Sequence, residues 1–297
     1  MISALWHFTR PHAFIGTLAA IVGLYGIALA QTPMDRLALG PLALALAACL
    51  SAAVFIVGLN QFFDLEIDRI NKPELPYAAG ELSRMSVLGI LAITLGIALG
   101  LAVLGGGYLL ATVVSSMALG IAYSAPPVRL KRYFLWAALC ILAVRGPIIN
   151  LGLYLYFSGV LSGNHEIPES IWLLVALTVL FALVIAWSKD IPDTTGDARF
   201  GIRTLVMRLG PDTLFRAGRW ILTAALLIGV AGGLGPWMDE LNGTVLVITQ
   251  LMLLAALWIR SRRVDPSVDD SIKPYYLFIW NLLQLQYVAF PLACLTA

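Results

Sequence analysis

Two groups of oxygen-bearing side chains stand out by type and spacing. Asn60, Asp64 and Asp68 recur every four residues at the end of an apolar run, Gly40 to Phe63. On an ideal helix they fall within an arc of about 80° across two turns. Asp190, Asp193 and Asp197 follow about 120 residues later, spaced three and then four, with Pro192 positioned to kink or end their helix. Hard oxygen donors of this kind suit Mg²⁺, which takes one or two carboxylates and completes its shell with water and substrate phosphate. The alternative is two solvated helix ends facing water. Cations beside both groups weigh against it: Lys72 and Lys189 adjoin them, and Lys131 and Arg132 follow Tyr123-Ser-Ala-Pro126-Pro127. Carboxylates, cations and a divalent metal together suit a diphosphate, with two ions bridging acid to phosphate oxygen. The metal would then stabilise a diphosphate leaving from an allylic carbon, inside a bundle that holds an apolar tail away from water.

The elements that must position these groups are membrane helices. Of 297 residues 60% are hydrophobic and only 12% charged, whereas a soluble domain carries about 25% charged residues. The mean hydropathy is +0.88. At about 20 residues per span, nine spans are expected, at 12–31, 39–63, 84–104, 108–125, 134–157, 170–188, 217–236, 243–260 and 275–295. Spans three and four are divided only by Gly105-Gly106-Gly107. With the N-terminus inside, every Lys and Arg except Arg36 and Arg145 falls on the cytoplasmic side, which favours an N-in, C-out topology. The fold expected is therefore all-α, one transmembrane domain over 1–297, with nine helices around a central cavity and cytoplasmic cap loops. Ser83 is placed to cap span three. Cys49, Cys140 and Cys294 sit singly in apolar runs and predict neither a disulfide nor a metal site.

Arg145 is the cation expected in the middle of a span, so it must face the bundle interior and a partner. Gly146-Pro147 beside it would let the helix open locally. Its partner is either a substrate carboxylate or phosphate, or an aspartate in a structural ion pair. Asn150, one turn on, and Arg10, at the start of span one, are further candidates for contact with an acceptor. Tyr123 is a candidate for phosphate. Interhelix contacts would explain Asn150, Asn281, Gln284 and Gln286 as readily as substrate does. Of the histidines only His12 lies near the expected site.

The full strings resemble a known family. Asn60-Gln61-x-x-Asp64-x-x-x-Asp68, Asn71-Lys72-Pro73-x-Leu-Pro76-x-Ala-Ala-Gly80, Tyr123-Ser-x-Pro126, Arg129-Leu-Lys131-Arg132, Arg145-Gly and Lys189-Asp-Ile-Pro-Asp193-x-x-Gly196-Asp197 are similar to the UbiA-type intramembrane prenyltransferases. With Trp6-x-Phe8-x-Arg10-Pro-His12 they resemble the homogentisate branch. Gln61 and Lys72 depart from the sister chlorophyll synthases, and Pro147 departs from the branch itself. The resemblance implies a Mg²⁺-dependent prenyltransferase carrying a prenyl group from its diphosphate to a small aromatic acid. In the homogentisate branch the acceptor loses its carboxyl group and yields a tocopherol or prenylquinone precursor. It also implies metal binding by Asn60, Asp64, Asp68, Asp190, Asp193 and Asp197, diphosphate binding by Lys72, Lys131, Arg132, Lys189 and Tyr123, and acceptor binding by Arg145, Arg10 and Asn150. The expected location is a bacterial cell (inner) membrane with the site on the cytoplasmic side, the bilayer and the two substrates as partners, and neither nucleic acid nor an obligatory protein partner. Transfer to another aromatic or chlorophyll-type acceptor, terpene cyclisation without an acceptor, and ion-coupled transport are the competing readings; transporter sites lie near the midplane, not at the membrane edge.

Overall fold

Long apolar segments without polar breaks can satisfy their backbone inside a bilayer only as helices, and the computed structural model is built of them. It describes residues 2–32, 38–202, 204–235 and 239–297, with the backbone alone at Ile2, Thr195, Gly196 and Asp269. Arg36 and Arg203 lie outside the described residues. The helices are α1 (Ile2–Phe8), α2 (Pro11–Ala30), α3 (Leu39–Phe63), α4 (Leu65–Asn71), α5 (Arg84–Gly105), α6 (Gly107–Ser124), α7 (Phe134–Ala143), α8 (Ile149–Ser162), α9 (Glu169–Ser188), α10 (Thr194–Arg199), α11 (Val206–Leu209), α12 (Pro211–Leu234), α13 (Gly243–Ser261) and α14 (Asp269–Leu295). Among the described residues, nine helical stretches are long and apolar enough to cross a membrane, α7 and α8 counting as one. Their bounds lie within a turn or two of those expected. Gly106, at φ 90°, makes the break between α5 and α6, a conformation glycine adopts without a Cβ penalty. Ser83 Oγ caps α5 by accepting from the Ser86 amide at 3.1 Å.

Large apolar side chains cover the outside, among them Met85 and Leu104, each 75% exposed. A belt of that kind is a liability in water and a match for lipid; the chain is an integral membrane protein. Inside, α9 is the most enclosed span, with Leu174, Leu177 and Phe181 wholly buried. Polar residues within the bundle pair with one another. Gln250 and Gln286 exchange hydrogen bonds at 2.8 and 3.2 Å between α13 and α14, and Gln284 donates to the His12 carbonyl at 3.2 Å.

Helices α2 and α14 close tightly on each other. A Cβ at Gly23 would lie 2.5 Å from the Tyr287 carbonyl oxygen, so only glycine allows that approach. Between α7 and α8 the chain widens into a π-helical turn, Val144–Ile148, with Pro147 inside it. Proline lacks the donor a regular helix needs there, and the turn carries Arg145. Asn150 secures it: its amide donates to the carbonyls of Arg145 and Gly146 at 2.9 and 2.7 Å and to Thr178 Oγ1 at 3.1 Å. Its oxygen accepts from the Tyr287 hydroxyl at 3.0 Å. Asn150, expected to reach an acceptor, is thus fully buried and fully used between helices; the amide is consumed by the carbonyls of the widened turn.

Two outcomes follow for stability. Gly23→Ala should force α2 and α14 apart and lower the thermal midpoint in detergent, whereas Gly89→Ala, with no atom within 4 Å of the added carbon, should leave it unchanged or raise it. Asn150→Ala strands several buried polar groups at about 1–3 kcal/mol for each unsatisfied group and should cost several degrees; a midpoint equal to wild type would show the network to be dispensable.

Candidate active site

The acidic groups do not sit on the two uninterrupted helix faces that spacing suggests. Asp64 is the hinge between α3 and α4 (φ −105°, ψ 10°), yet the amides of Asp64 and Asp68 still bond four residues back, at 3.0 and 2.7 Å. Asn60, Asp64 and Asp68 therefore stay on one side of a bent helix. In the second group, α9 ends at Ser188 and Asp190 and Asp193 lie in the turn holding Pro192; only Asp197 is on α10. Nor are these solvated ends. Asp64, Asp68 and Asp197 are 6%, 5% and 8% exposed.

Burial of so many carboxylates needs compensation, and cations from other segments supply it. Arg129 donates to Asp64 Oδ1 at 3.0 Å, and Lys131 forms an ion pair with Asp64 Oδ2. Lys189 bridges Asp190 Oδ1 at 3.0 Å and the Tyr123 hydroxyl at 2.9 Å. Lys72 pairs with Asp193 of the other group, and Asn71 donates to the Asp193 carbonyl at 3.0 Å. Asn60 donates to Asp64 Oδ2 at 2.8 Å. These cross-links tie α4 to the turn before α10 and form a cap over the helix ends.

Compensation is incomplete at two positions. Asp68 Oδ2 is buried without a hydrogen-bond donor; Arg10 stands 3.9 Å away, too far to supply one. Burial raises Asp68 to about 6, against the pull of Arg10 and Lys72. Asp197 rises to about 7 through burial and the charges of Asp190 and Asp193. Burial likewise holds the Lys131 ammonium below the usual lysine range, with Asp64 opposing. Among the described residues no three His, Cys, Asp or Glu side chains already form a metal cage. An orphaned buried carboxylate oxygen beside other hard oxygen donors nevertheless fits a divalent cation of the Mg²⁺ type, which needs few protein ligands.

The acidic groups ring the mouth of a cavity of about 610 Å³. Asn60, Asp64, Asp68, Lys72, Tyr123, Lys131, Lys189, Asp190, Asp193, Asp197, Arg10 and Arg145 all line it. Arg132 does not: it is exposed in the short turn Leu130–Arg132. Arg129, held at φ 40°, reaches Asp64 from outside the cavity lining. Sequence reasoning placed Arg129 in a motif without a role, because three cations within four residues look alike until the turn sorts them. Asn71 was likewise missed. Deeper in, the walls divide. One is apolar and runs along α3 and α6 from Asp64 to Cys49 and from Ser124 to Thr112; the fifteen steps from Asp64 to Cys49 rise about 22 Å along the helix. The other carries Arg145, His12 and Tyr276. The Arg145 guanidinium stacks 4.0 Å from the Trp280 ring centroid. Among the described residues no carboxylate pairs with it, so the structural ion pair considered above is absent.

Comparison with known proteins agrees with this architecture. Residues 18–282 match the UbiA prenyltransferase family. The chain is 42% identical to the homogentisate phytyltransferase of Synechocystis sp. over 98% of its own length and 96% of that protein. It is 34% identical to the homogentisate geranylgeranyltransferase of Triticum aestivum over 98% of its length and 72% of that protein. In fold it is similar to a UbiA homologue from Archaeoglobus fulgidus solved with GPP and Mg²⁺, with a TM-score of 0.70 at 16% identity, covering 99% of this chain and all of that one. A nine-span bundle with two acidic groups at the mouth of its cavity, matched along nearly its whole length, belongs to the UbiA prenyltransferase family.

Proposed function

We propose that this chain, acting as one unit over 1–297, transfers a prenyl group from an allylic diphosphate to homogentisate, as the activities named for its relatives suggest, and that the acceptor loses its carboxyl group, as the sequence resemblance implies. The observation that carries this reading is the shared cavity: acidic groups and lysines at one end, and on the wall below an arginine with no carboxylate partner among the described residues. Bound divalent cations, two in our reading, would link Asn60, Asp64, Asp68, Asp190, Asp193 and Asp197 to diphosphate oxygens and offset the charge of the leaving group. Lys72, Lys131, Lys189 and Arg129, paired with these acids in the free protein, would turn to phosphate oxygens as the carboxylates turn to metal. Tyr123 keeps Lys189 aimed at the mouth. The apolar wall holds the tail dry, and its length suits about four isoprene units at about 5 Å each when extended. On the topology expected from the cations, the mouth faces the cytoplasmic side of a bacterial cell membrane.

Arg145 gives the acceptor its place. A guanidinium binds a carboxylate through two parallel hydrogen bonds, a geometry lysine cannot offer. Stacking on Trp280 fixes its plane. Arg10, near Asp68 at the mouth, is better placed for phosphate than for the acceptor.

Purified protein supplied with homogentisate and geranylgeranyl or phytyl diphosphate should form prenylated quinol, lose the activity in EDTA and recover it with Mg²⁺; undiminished turnover in metal-free buffer would remove the central role of the acids. Arg145→Met should continue slow release of prenyl alcohol while losing aromatic product, and Arg145→Lys should raise the KM for homogentisate more than that for the diphosphate. An unchanged acceptor KM in the Met variant would mean that the acceptor binds elsewhere.

A further inference from the structure

His12 occupies a position that the roles above leave unused. It follows Arg10-Pro11 at the start of α2, is half-buried, and lines the cavity just inside the mouth. Two rings hold its imidazole edge-on, Tyr276 at 5.9 Å and Trp280 at 5.4 Å between centroids. Gln284 fixes the backbone beneath it by donating to the His12 carbonyl. Among the described residues neither imidazole nitrogen has a hydrogen-bond partner in the protein. Trp280 also carries the Arg145 guanidinium on its face. A carboxylate held by Arg145 and a proton acceptor at His12 are therefore set around one tryptophan, close enough to serve one small aromatic acid.

We propose that His12 is the catalytic base of the aromatic step and that it returns the proton it takes. The proposal rests on the decarboxylative reading above, whose atom balance calls for such a group. When the allylic C–O bond breaks, its electron pair leaves with the diphosphate. A ring π pair forms the new C–C bond, and the ring carbon must then lose its proton. When the carboxyl carbon leaves as CO₂, the pair of the broken C–C bond stays on the methylene carbon, which must gain a proton to become a methyl group. One proton is released and one is consumed; nothing is oxidised or reduced. A single neutral imidazole between the ring and the methylene can accept the first and deliver the second, so the closed cavity needs no net proton exchange with water. The aspartates are less suited, since Asp64, Asp190 and Asp193 are paired with cations at the mouth and Asp68 and Asp197 are given to the metal in the reading above.

The test uses the full chain with Mg²⁺, geranylgeranyl diphosphate and homogentisate. His12→Gln should lower kcat for aromatic product by about 10²–10⁴-fold, the usual contribution of a positioned acid–base group. The acceptor KM and the slow release of prenyl alcohol should stay near wild type, which also reports an intact fold. His12→Gly should behave alike, and imidazole added to the buffer should restore its product formation by at least about tenfold. Turnover of His12→Gln within about threefold of wild type would overturn the proposal. So would a loss of prenyl alcohol release along with product, or a glycine variant that imidazole does not rescue, since each assigns His12 to structure. If the wild-type protein itself makes no product from homogentisate, it is the acceptor reading that fails, a result separate from any of these.

Discussion

The constraint on which the rest depends is the burial of carboxylates at the edge of a membrane. Asp64, Asp68 and Asp197 are almost entirely withdrawn from solvent, and a buried charge is tolerated only beside a partner. The partners come from distant segments: Lys72 answers Asp193, Arg129 and Lys131 answer Asp64, and Lys189 answers Asp190. Each pair fastens one cap segment to another. The same pairs hold cations where a polyanion would need them. In the proposed function fastening and recognition would be carried by one set of charges, and the acids left short of compensation, Asp68 above all, would have the most to gain from a metal.

Below the mouth the bundle separates two tasks by wall chemistry. Along α3 and α6 the lining is mostly apolar, with Ala52, Ala53 and Ile56 on α3, and Gly120 on α6 lets Ile56 pack close against that helix. Across the cavity, the widened turn at Val144–Ile148 presents Arg145, and α2 and α14 present His12 and Tyr276. The departure from regular helix at Pro147 is what lets a guanidinium occupy the interior, and Asn150 makes that departure affordable by donating to two carbonyls of the turn. A charged group inside a membrane bundle is a site candidate when no protein charge answers it, and among the described residues no carboxylate pairs with Arg145.

How much of this could be read from the chain differs by kind of signal. Hydropathy and length settled nine spans, because a bilayer requires continuous apolar helices and little else. Even the weakest division, at Gly105-Gly106-Gly107, fell where a glycine could take a positive φ. The acidic motifs were legible as oxygen donors at helical spacing, and Gly146-Pro147 as a local opening. These are short-range properties, fixed by residue type and separation along one segment.

Tertiary structure alone decided which of several equivalent residues meet the acidic groups. Arg129, Lys131 and Arg132 are indistinguishable as a basic run; the turn after α6 sends the first two to Asp64 and leaves the third in solvent. Asn150 and Arg145 are both polar residues in one span, five positions apart, yet one is consumed between helices and the other is left without a carboxylate. Spacing also could not reveal that Asp64 bends its helix or that Lys72 crosses to the second acidic group. Sequence fixes a residue's chemistry and its angle on its own helix. Which neighbour answers that chemistry is set by how distant segments pack, and that is where the site is assembled.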